Sequence, residues 1–299
     1  MEKQAPRYSI LLPSFRARFL KVCLESILRQ TKSDFELIVV DDASPEDLES
    51  IVRSFPDPRI RYFRNAVGCG AEHLVDNWNI CLGYARGEFV LNMGDDDLLE
   101  PRCLEAFGEL IRRHPDKDVY HMRASFIDAN GTAFRVLEER PETETLAEMV
   151  LARWKGRPQM IGDYLFRRQP LVEAGGYYDL PYAWCSDDIS VFRAAREKGI
   201  ANSNEPLFLF RKSRYSISGN ARNTEGKLRA TCQSEAWYRS VFGPRPSCLE
   251  QAYYRRQRRF FLSCDASHPL TWWFRNRKSF GLSGIDILSA ALKKVIHHR

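Results

Sequence analysis

The chain has 299 residues, 44% of them apolar and 28% charged, a globular composition long enough for one large domain or two modest ones. No run of about 18 uninterrupted apolar residues occurs, and the stretch from Met1 to Phe15 lacks the apolar segment of a signal peptide, which argues against a spanning helix and for a cytoplasmic protein. Eight scattered cysteines with no CxxC pair argue against a zinc site and fit reduced thiols.

The net charge of +6 is uneven. From Arg211 onward there are 18 Lys and Arg against 5 Asp and Glu, a net of +13, which leaves −7 for the first 210 residues. A basic tail on a mildly acidic body is either a solvated face or a surface that meets something anionic.

Tyr8 to Pro13 is a short apolar run that reads as a buried strand. Phe19, Leu20, Cys23, Leu24, Ile27 and Leu28 then follow at helical spacing over about 17–30. Phe35 to Val40 is a second strand, ending at Asp41-Asp42-Ala43-Ser44-Pro45, where Ser44 is expected to cap a helix that Pro45 opens. Arg59 to Phe63 is a third strand, and Leu74, Trp78, Cys81 and Leu82 mark the next helix. Glu88 to Met93 is a fourth strand, closed by Gly94-Asp95-Asp96-Asp97, with a helix from near Pro101. This alternation predicts an α/β fold with a mostly parallel sheet and helices on both faces. Ligands of such sheets sit outside the carboxyl ends of the strands, where both acidic clusters fall.

Beyond residue 118 two strands, Val119 to Ile127 and Thr132 to Val136, are joined by an Asn130-Gly131 turn. Helices are expected near 143–153, from Asp187 to Lys198 with Gly199 as stop, and from about 225 onward.

Three consecutive carboxylates after an apolar strand repel one another, and a hard cation such as Mg²⁺ or Mn²⁺ would relieve them; the bland reading is a solvated acidic turn. Asp41-Asp42 is either an ordinary turn or an acceptor for a base N–H or a ribose hydroxyl. Gly68-Cys69-Gly70 is not a dinucleotide fingerprint, and no P-loop pattern occurs.

Tyr8 to Phe15, then Val39-Val40-Asp41-Asp42-Ala43-Ser44, then Asn79 eight residues before Gly87, then Asp95-Asp96-Asp97, resembles the family 2 glycosyltransferases with the GT-A fold over about residues 7–128, and more weakly to about 220. The resemblance implies a GT-A-like catalytic domain over 1–220, with a nucleotide-binding half (7–128) and an acceptor half (129–220), followed by a helical basic region over 221–299. It implies donor contacts from Pro13, Ser14, Asp41, Asp42, Asn79, Asp95 and Asp96, and a Mn²⁺ or Mg²⁺ ion held by Asp95 and Asp97. Ser186-Asp187, counted back from Arg193, looks like the family's Glu-Asp pair. Asp187 is therefore the candidate base, with Asp188 the alternative and a helix-dipole pair the structural reading. Phe210-Arg211-Lys212-Ser213 resembles a segment in which relatives carry a His where Ser213 stands, leaving Arg211, Lys212 or Arg214 to meet phosphate. Two other departures are the missing Asn after Pro13 and Ser186 in place of Glu.

These matches imply inverting transfer of a hexosyl or N-acetylhexosaminyl group from a nucleotide-sugar, with a UDP-sugar the leading donor. The acceptor would be a glycan or lipid-linked hydroxyl in polysaccharide or glycolipid assembly. The alternatives are a nucleotidyltransferase, which would usually carry glycines after the first strand, and a non-catalytic sugar-nucleotide or glycan-binding protein. In the tail, residues 253–261 and 272–278 interleave aromatics and cations, and Ile285, Leu288, Leu292 and Val295 mark a helix face. That suits peripheral attachment to an anionic membrane, or packing on the catalytic domain; nothing resembles a nucleic-acid module.

Overall fold

The computed structural model of the chain describes residues 5–213 and 224–242. The first half alternates as its apolar runs dictate: β1 (Tyr8–Ser14), α1 (Ala17–Leu28), β2 (Phe35–Asp41), α2 (Leu48–Arg53), β3 (Ile60–Arg64), α3 (Leu74–Tyr84) and β4 (Phe89–Asn92). These strands lie in the order β3-β2-β1-β4 and pair in parallel. Ile10, Leu12, Leu37, Val39, Phe89 and Leu91 face one side, in a core shared with Leu20, Cys23, Leu24 and Ile27 of α1. The intervening Leu11, Ile38, Val40 and Val90 are also fully buried, so the strands are covered on both faces.

The second half carries β5 (Leu98–Leu99), α4 (Cys103–Arg113), β6 (Val119–Ile127), β7 (Ala133–Val136), β8 (Thr143–Glu144), α5 (Leu146–Trp154), β9 (Tyr164–Arg167), α6 (Arg168–Glu173), α7 (Ser186–Ala194), β10 (Ile200–Arg211) and α8 (Thr224–Phe242). The ten-stranded sheet continues β4-β9-β6-β10-β5, with β7 on β6 and β8 on β10. Here the parallel pattern of the first four strands gives way to a mixed one. β9 inserts antiparallel between β4 and β6, and only β6 and β10 remain parallel. Nothing in the local periodicity of Tyr164–Arg167 announces that insertion.

Two local expectations shift. The cap of α2 is Asp47, whose side chain accepts the Ser50 N–H at 3.0 Å. Ser44 instead donates across the fold to the Phe15 carbonyl at 2.6 Å, tying the β2 turn to the β1 turn. The helix expected at Asp187–Lys198 starts at Ser186 and ends at Ala194, with Gly199 in the left-handed region at φ +67. The Asn130-Gly131 hairpin forms as expected between β6 and β7, and the Asp128 carboxylate accepts the N–H groups of Asn130 and Thr132.

The amino ends of the first strands are pinned by a buried carboxylate. Glu36 accepts from Ser9 Oγ, the Arg86 N–H and Arg61, each at 2.7 Å.

The described residues divide into two compact units, 5–146 with 159–213 and 224–230, and 147–158 with 231–242. The first carries the sheet. In the second, Trp154 packs edge-on to Tyr238 with ring centres 5.1 Å apart. Among the described residues no helix is long and apolar enough to cross a membrane. The basic stretches 253–261 and 272–278, the helix face from Ile285 to Val295, and Arg214 lie outside the described residues.

Candidate functional site

The carboxyl ends of β1, β2, β4 and β10 converge. Pro13 and Ser14 stand opposite Val40 and Asp41 across the β1–β2 ladder, and the Ser14 carbonyl accepts the Asp42 N–H at 2.9 Å. The two acidic clusters thus lie at the strand ends on either side of β1, but their electrostatics differ.

Asp41 is fully buried. Its Oδ1 accepts the Ser44 N–H at 2.7 Å, and its Oδ2 accepts the Tyr62 hydroxyl at 2.7 Å and a guanidinium N–H of Arg64. Burial first, and then the Asp41 charge, push the Tyr62 phenol up to about 12. Asp42 is also buried. Its Oδ1 accepts Asn65 Nδ2 at 2.9 Å and the Cys69 N–H at 2.8 Å, and its Oδ2 accepts the Gly70 N–H at 2.9 Å. The Gly68-Cys69-Gly70 segment is therefore a loop wrapped on Asp42. A Cβ on Gly68 would lie 2.6 Å from the Asp42 carbonyl oxygen, and Gly70 has φ +76. Both carboxylates, expected at the donor nucleotide, are engaged in holding loops.

Tyr62, Arg64 and Asn65 are the residues that single-sequence reading missed. The available signal was charge complementarity at adjacent strand ends, since Arg64 stands opposite Asp41 in the β2–β3 register.

The turn after β4 is different. Asp95 Oδ2 accepts the Phe15 and Arg16 N–H groups at 2.9 and 3.1 Å. These precede α1, whose own N-cap residue Arg16 makes no side-chain cap, so Asp95 supplies the acceptor from 80 residues away. Asp97 Oδ1 accepts the Arg211 N–H at 2.8 Å. Asp95 Oδ1 and Asp97 Oδ2 take no hydrogen bond among the described residues, and the Asp96 carboxylate is bonded by its own backbone N–H. Burial pushes Asp95 up to about 6, with the Asp96 charge adding to the shift. Burial, followed by repulsion from Asp96, raises Asp97 well above the usual carboxylate range, and burial raises Asp96. Gly94 permits this crowding, because a Cβ there would stand 2.9 Å from Asp96 Oδ1.

Arg211 closes the turn from β10. Its Nε donates to the Asp96 carbonyl at 2.7 Å, its Nη1 donates to the Asp128 and Ala129 carbonyls at 2.8 and 3.2 Å, and its guanidinium lies 4.4 Å from the centre of the Phe19 ring. It is buried, and these bonds brace the acidic turn.

The open oxygens fit a hard divalent cation: they are carboxylate donors held close, destabilised by one another, at a strand end. Among the described residues no group of three or more His, Cys, Asp or Glu side chains is placed to hold a metal ion, so an ion here would take most of its shell from ligand oxygens. Asn92, wholly buried at the end of β4, has neither amide atom hydrogen-bonded.

Asn79 and the α7 carboxylates belong to a second locus. Asn79 Oδ1 accepts the Tyr177 N–H at 2.8 Å and its Nδ2 donates to the Tyr177 carbonyl at 3.4 Å. A Cβ on Gly176, which has φ +81, would come within 2.4 Å of Asn79 Oδ1. Asn79, expected at the donor, has both amide functions spent on clamping this loop. The same loop runs into α7. Tyr178 N–H donates to Ser190 Oγ at 2.8 Å and Leu180 N–H to Ser186 Oγ at 3.1 Å. Tyr182, Ala183 and Cys185 all have positive φ, at 60°, 52° and 70°. Ala43, at φ 53 beside Asp42, is the fourth such non-glycine among the described residues, so this strain falls on the two candidate loops. Asp187, partly exposed, accepts the Asp188 N–H on Oδ1 at 2.8 Å, whereas Asp188 is 1% exposed.

Residues 9–174 match the model of the family described as "Glycosyl transferase family 2". The chain belongs to that family. Over 190 residues it is 33% identical to MT1568, an uncharacterized protein of Mycobacterium tuberculosis, covering 58% of this chain and 57% of that protein. Over 108 residues it is 38% identical to the Escherichia coli protein named "Putative colanic acid biosynthesis glycosyl transferase WcaA", covering 35% of this chain and 38% of that protein. It thus spans less than two thirds of either relative. The crystal structure of Staphylococcus aureus TarS 1-349 in complex with UDP-GlcNAc superposes with a TM-score of 0.63 at 16% identity, covering 98% of this chain and 92% of that one. Mannosyltransferase PcManGT from Pyrobaculum calidifontis, in complex with GDP-Man and Mn²⁺, gives 0.57 at 16% identity, covering 98% and 81%. The fold is therefore the GT-A fold. The family match ends before α7, so the reading of Asp187 and Asp188 rests on their own geometry.

Proposed function

We propose that this protein transfers a sugar from a nucleoside-diphosphate-sugar to an acceptor hydroxyl with inversion, in the assembly of a polysaccharide or glycolipid. The observation that carries the reading is the half-buried acidic turn, whose carboxylates are raised by desolvation and mutual repulsion and keep open oxygens, in a chain of glycosyl transferase family 2. Asp95 and Asp97 would hold Mn²⁺ or Mg²⁺, which when bound neutralises charge on the departing diphosphate. PcManGT, named with GDP-Man and Mn²⁺, supports a metal, and TarS, named with UDP-GlcNAc, supports a UDP-sugar as the first donor to try.

Asp95 orients the turn between β1 and α1, and Arg211 holds Asp96 and Asp97 in place. Asp187 accepts the proton of the attacking hydroxyl. Its partial exposure favours it over the buried Asp188. One base without an enzyme nucleophile gives inversion. In this reading residues 7–128 serve the nucleotide and 129–220 the acceptor. The basic region over 221–299 attaches the protein to an anionic membrane surface, a reading its excess of Lys and Arg supports.

The test is a thermal-shift screen of UDP-, GDP-, dTDP- and CMP-sugars with Mn²⁺, Mg²⁺ or EDTA, followed by NMR of the product's anomeric centre. A cation-dependent rise in stability with one nucleotide class is expected. No rise with any, or a retained anomeric configuration, overturns the respective part. Asp187→Asn should lower turnover by about 10²–10⁴-fold while keeping donor binding, the usual contribution of a general base. Sedimentation of the full chain with anionic but not neutral liposomes checks the membrane role.

A further inference from the structure

The loop that leads into α7 holds three left-handed non-glycine residues, Tyr182, Ala183 and Cys185. Such a backbone persists only where its surroundings over-determine it. Part of the support is local. The Ala183 N–H donates to the Leu180 carbonyl at 3.0 Å, and the Trp184 N–H to the Pro181 carbonyl at 3.1 Å. The rest comes from two distant segments of the same compact unit. Just before α3, the Glu72 carbonyl accepts the Tyr182 N–H at 2.9 Å. The other segment is the start of α8.

Gly226 is buried there without a left-handed φ, and glycine weakens a helix. Its use is close approach: a Cβ would stand 2.5 Å from Tyr182 Cδ2 and closer still to Cε2. The next residue, Lys227, is 9% exposed, and its Nζ lies 5.0 Å from the centre of the Trp184 ring. Burial pushes this ammonium down, and a ring face is a favourable seat for a desolvated cation. Arg229 pairs with Glu72 Oε1 at 2.6 Å, which joins the helix to the residue that accepts the Tyr182 N–H. Consecutive residues of one helical turn thus grip Tyr182 and Trp184.

The gripped loop sets the start of α7. The N-cap of α7 is Cys185, whose φ of 70 and missing side-chain cap depart from the extended backbone usual at that position. Ser186 is buried, and its Oγ accepts the Leu180 N–H. Asp187 follows as the first partly exposed carboxylate of the helix. Its placement therefore depends on a backbone that is held from α8.

We propose that Gly226 and Lys227 are positioning residues: they clamp Tyr182 and Trp184, fix the left-handed loop, and thereby aim Asp187 at the attacking hydroxyl. The aim of Asp187 rests on the sugar-transfer reading above; the clamp does not.

The test compares the full-length wild type with Gly226→Ala, Lys227→Met, Lys227→Arg, Tyr182→Gly and the double variant Tyr182→Gly/Gly226→Ala. The first readout is amide hydrogen exchange over residues 180–186, with β1 to β4 as internal reference. The second is nucleoside diphosphate released from UDP-, GDP- and dTDP-sugars with Mn²⁺ in water. Water then takes the acceptor's place: its oxygen joins the anomeric carbon, the bond to the diphosphate breaks, and Asp187 takes the proton.

Gly226→Ala should speed exchange in the loop about tenfold and lower kcat by up to about 10²-fold, the cost of misplacing a reacting group by about 1 Å. The KM for the donor and the thermal shift that the donor produces should not change. Lys227→Met should move both readouts the same way by less, and Lys227→Arg should restore them. Tyr182→Gly removes the ring but suits a positive φ, so Gly226→Ala should cost nothing further in that background.

Unchanged loop exchange in both Gly226→Ala and Lys227→Met overturns the clamp. Faster loop exchange with unchanged kcat overturns the positioning role, as does a kcat loss matched by lost donor binding or by faster exchange in β1 to β4. If Gly226→Ala does not fold, Lys227→Met and its reversal by arginine decide. A wild type that cleaves none of these donors rejects the sugar-transfer reading and the role of Asp187, while the exchange readout still decides the clamp.

Discussion

Two acidic turns flank the β1 turn, at the carboxyl ends of β2 and β4, and the protein treats them in opposite ways. Asp41 and Asp42 are surrounded by donors, among them Arg64, Tyr62, Asn65 and two loop N–H groups. Asp95, Asp96 and Asp97 are held close together with only part of their acceptor capacity filled, and burial raises all three. The first pair is finished by the fold and organises loops. The second group is completed only by something that binds. Adjacent aspartates at a strand end therefore mean little alone, and the donors that reach them decide whether they are scaffold or site.

The contrast breaks or sharpens under substitution. The largest expected effect is on activity: Asp97→Asn should reduce turnover by about 10²–10³-fold, the scale for removing one electrostatic contact to developing charge. The same variant keeps an acceptor for the Arg211 N–H while removing a buried, repelled charge, so its metal-free unfolding midpoint in urea should rise. Asp41→Asn should act in the opposite direction. Removing one partner of a fully buried pair costs about 3–5 kcal/mol, and because Arg64 stays half in water we expect about 2 kcal/mol of lost stability. If both variants move the midpoint the same way, the contrast is wrong.

A smaller effect is expected from pH. Asp95 is raised to about 6, so between about pH 4 and 6 the folded chain keeps a proton that the unfolded chain has released. Stability from this group is therefore lost as pH rises through that window, and Asp96 and Asp97 shift in the same direction. The metal-free protein should melt higher at pH 5 than at pH 7, and saturating Mg²⁺ or Mn²⁺ should remove the difference; a midpoint that rises from pH 5 to 7 without metal contradicts the assignment. The smallest expected effect is at Asn92, whose amide atoms are both buried without partners. Asn92→Leu, close in shape, should be neutral or stabilise by up to about 1 kcal/mol, since it replaces unsatisfied groups with apolar ones. A loss of several kcal/mol in urea unfolding would show that the amide is satisfied in solution.

Much of the fold was legible because its signals are local. The apolar runs at Tyr8–Ser14, Phe35–Asp41 and Phe89–Asn92 are buried on both faces, and Asn130-Gly131 turns where a hairpin needs it. The site was legible as a place, since strand ends of such sheets face the crevice. Individual roles were not. The bracing bonds of Arg211, the clamp of Asn79 on Tyr177 and the tether of Ser44 to Phe15 are roles the chain-local pattern does not announce. In each case a polar side chain was assigned by its neighbours in the chain, while its hydrogen-bond partner lies 29 or more residues away.

Residue types and spacing alone determined the alternation of strands and helices and the position of the acidic turns at strand ends, because periodicity and turn chemistry act over a few residues. Only the tertiary structure decided which carboxylates are neutralised and where β9 enters the sheet. Those outcomes depend on charges and donors brought together from distant strands, where burial multiplies the cost of leaving a group unpaired.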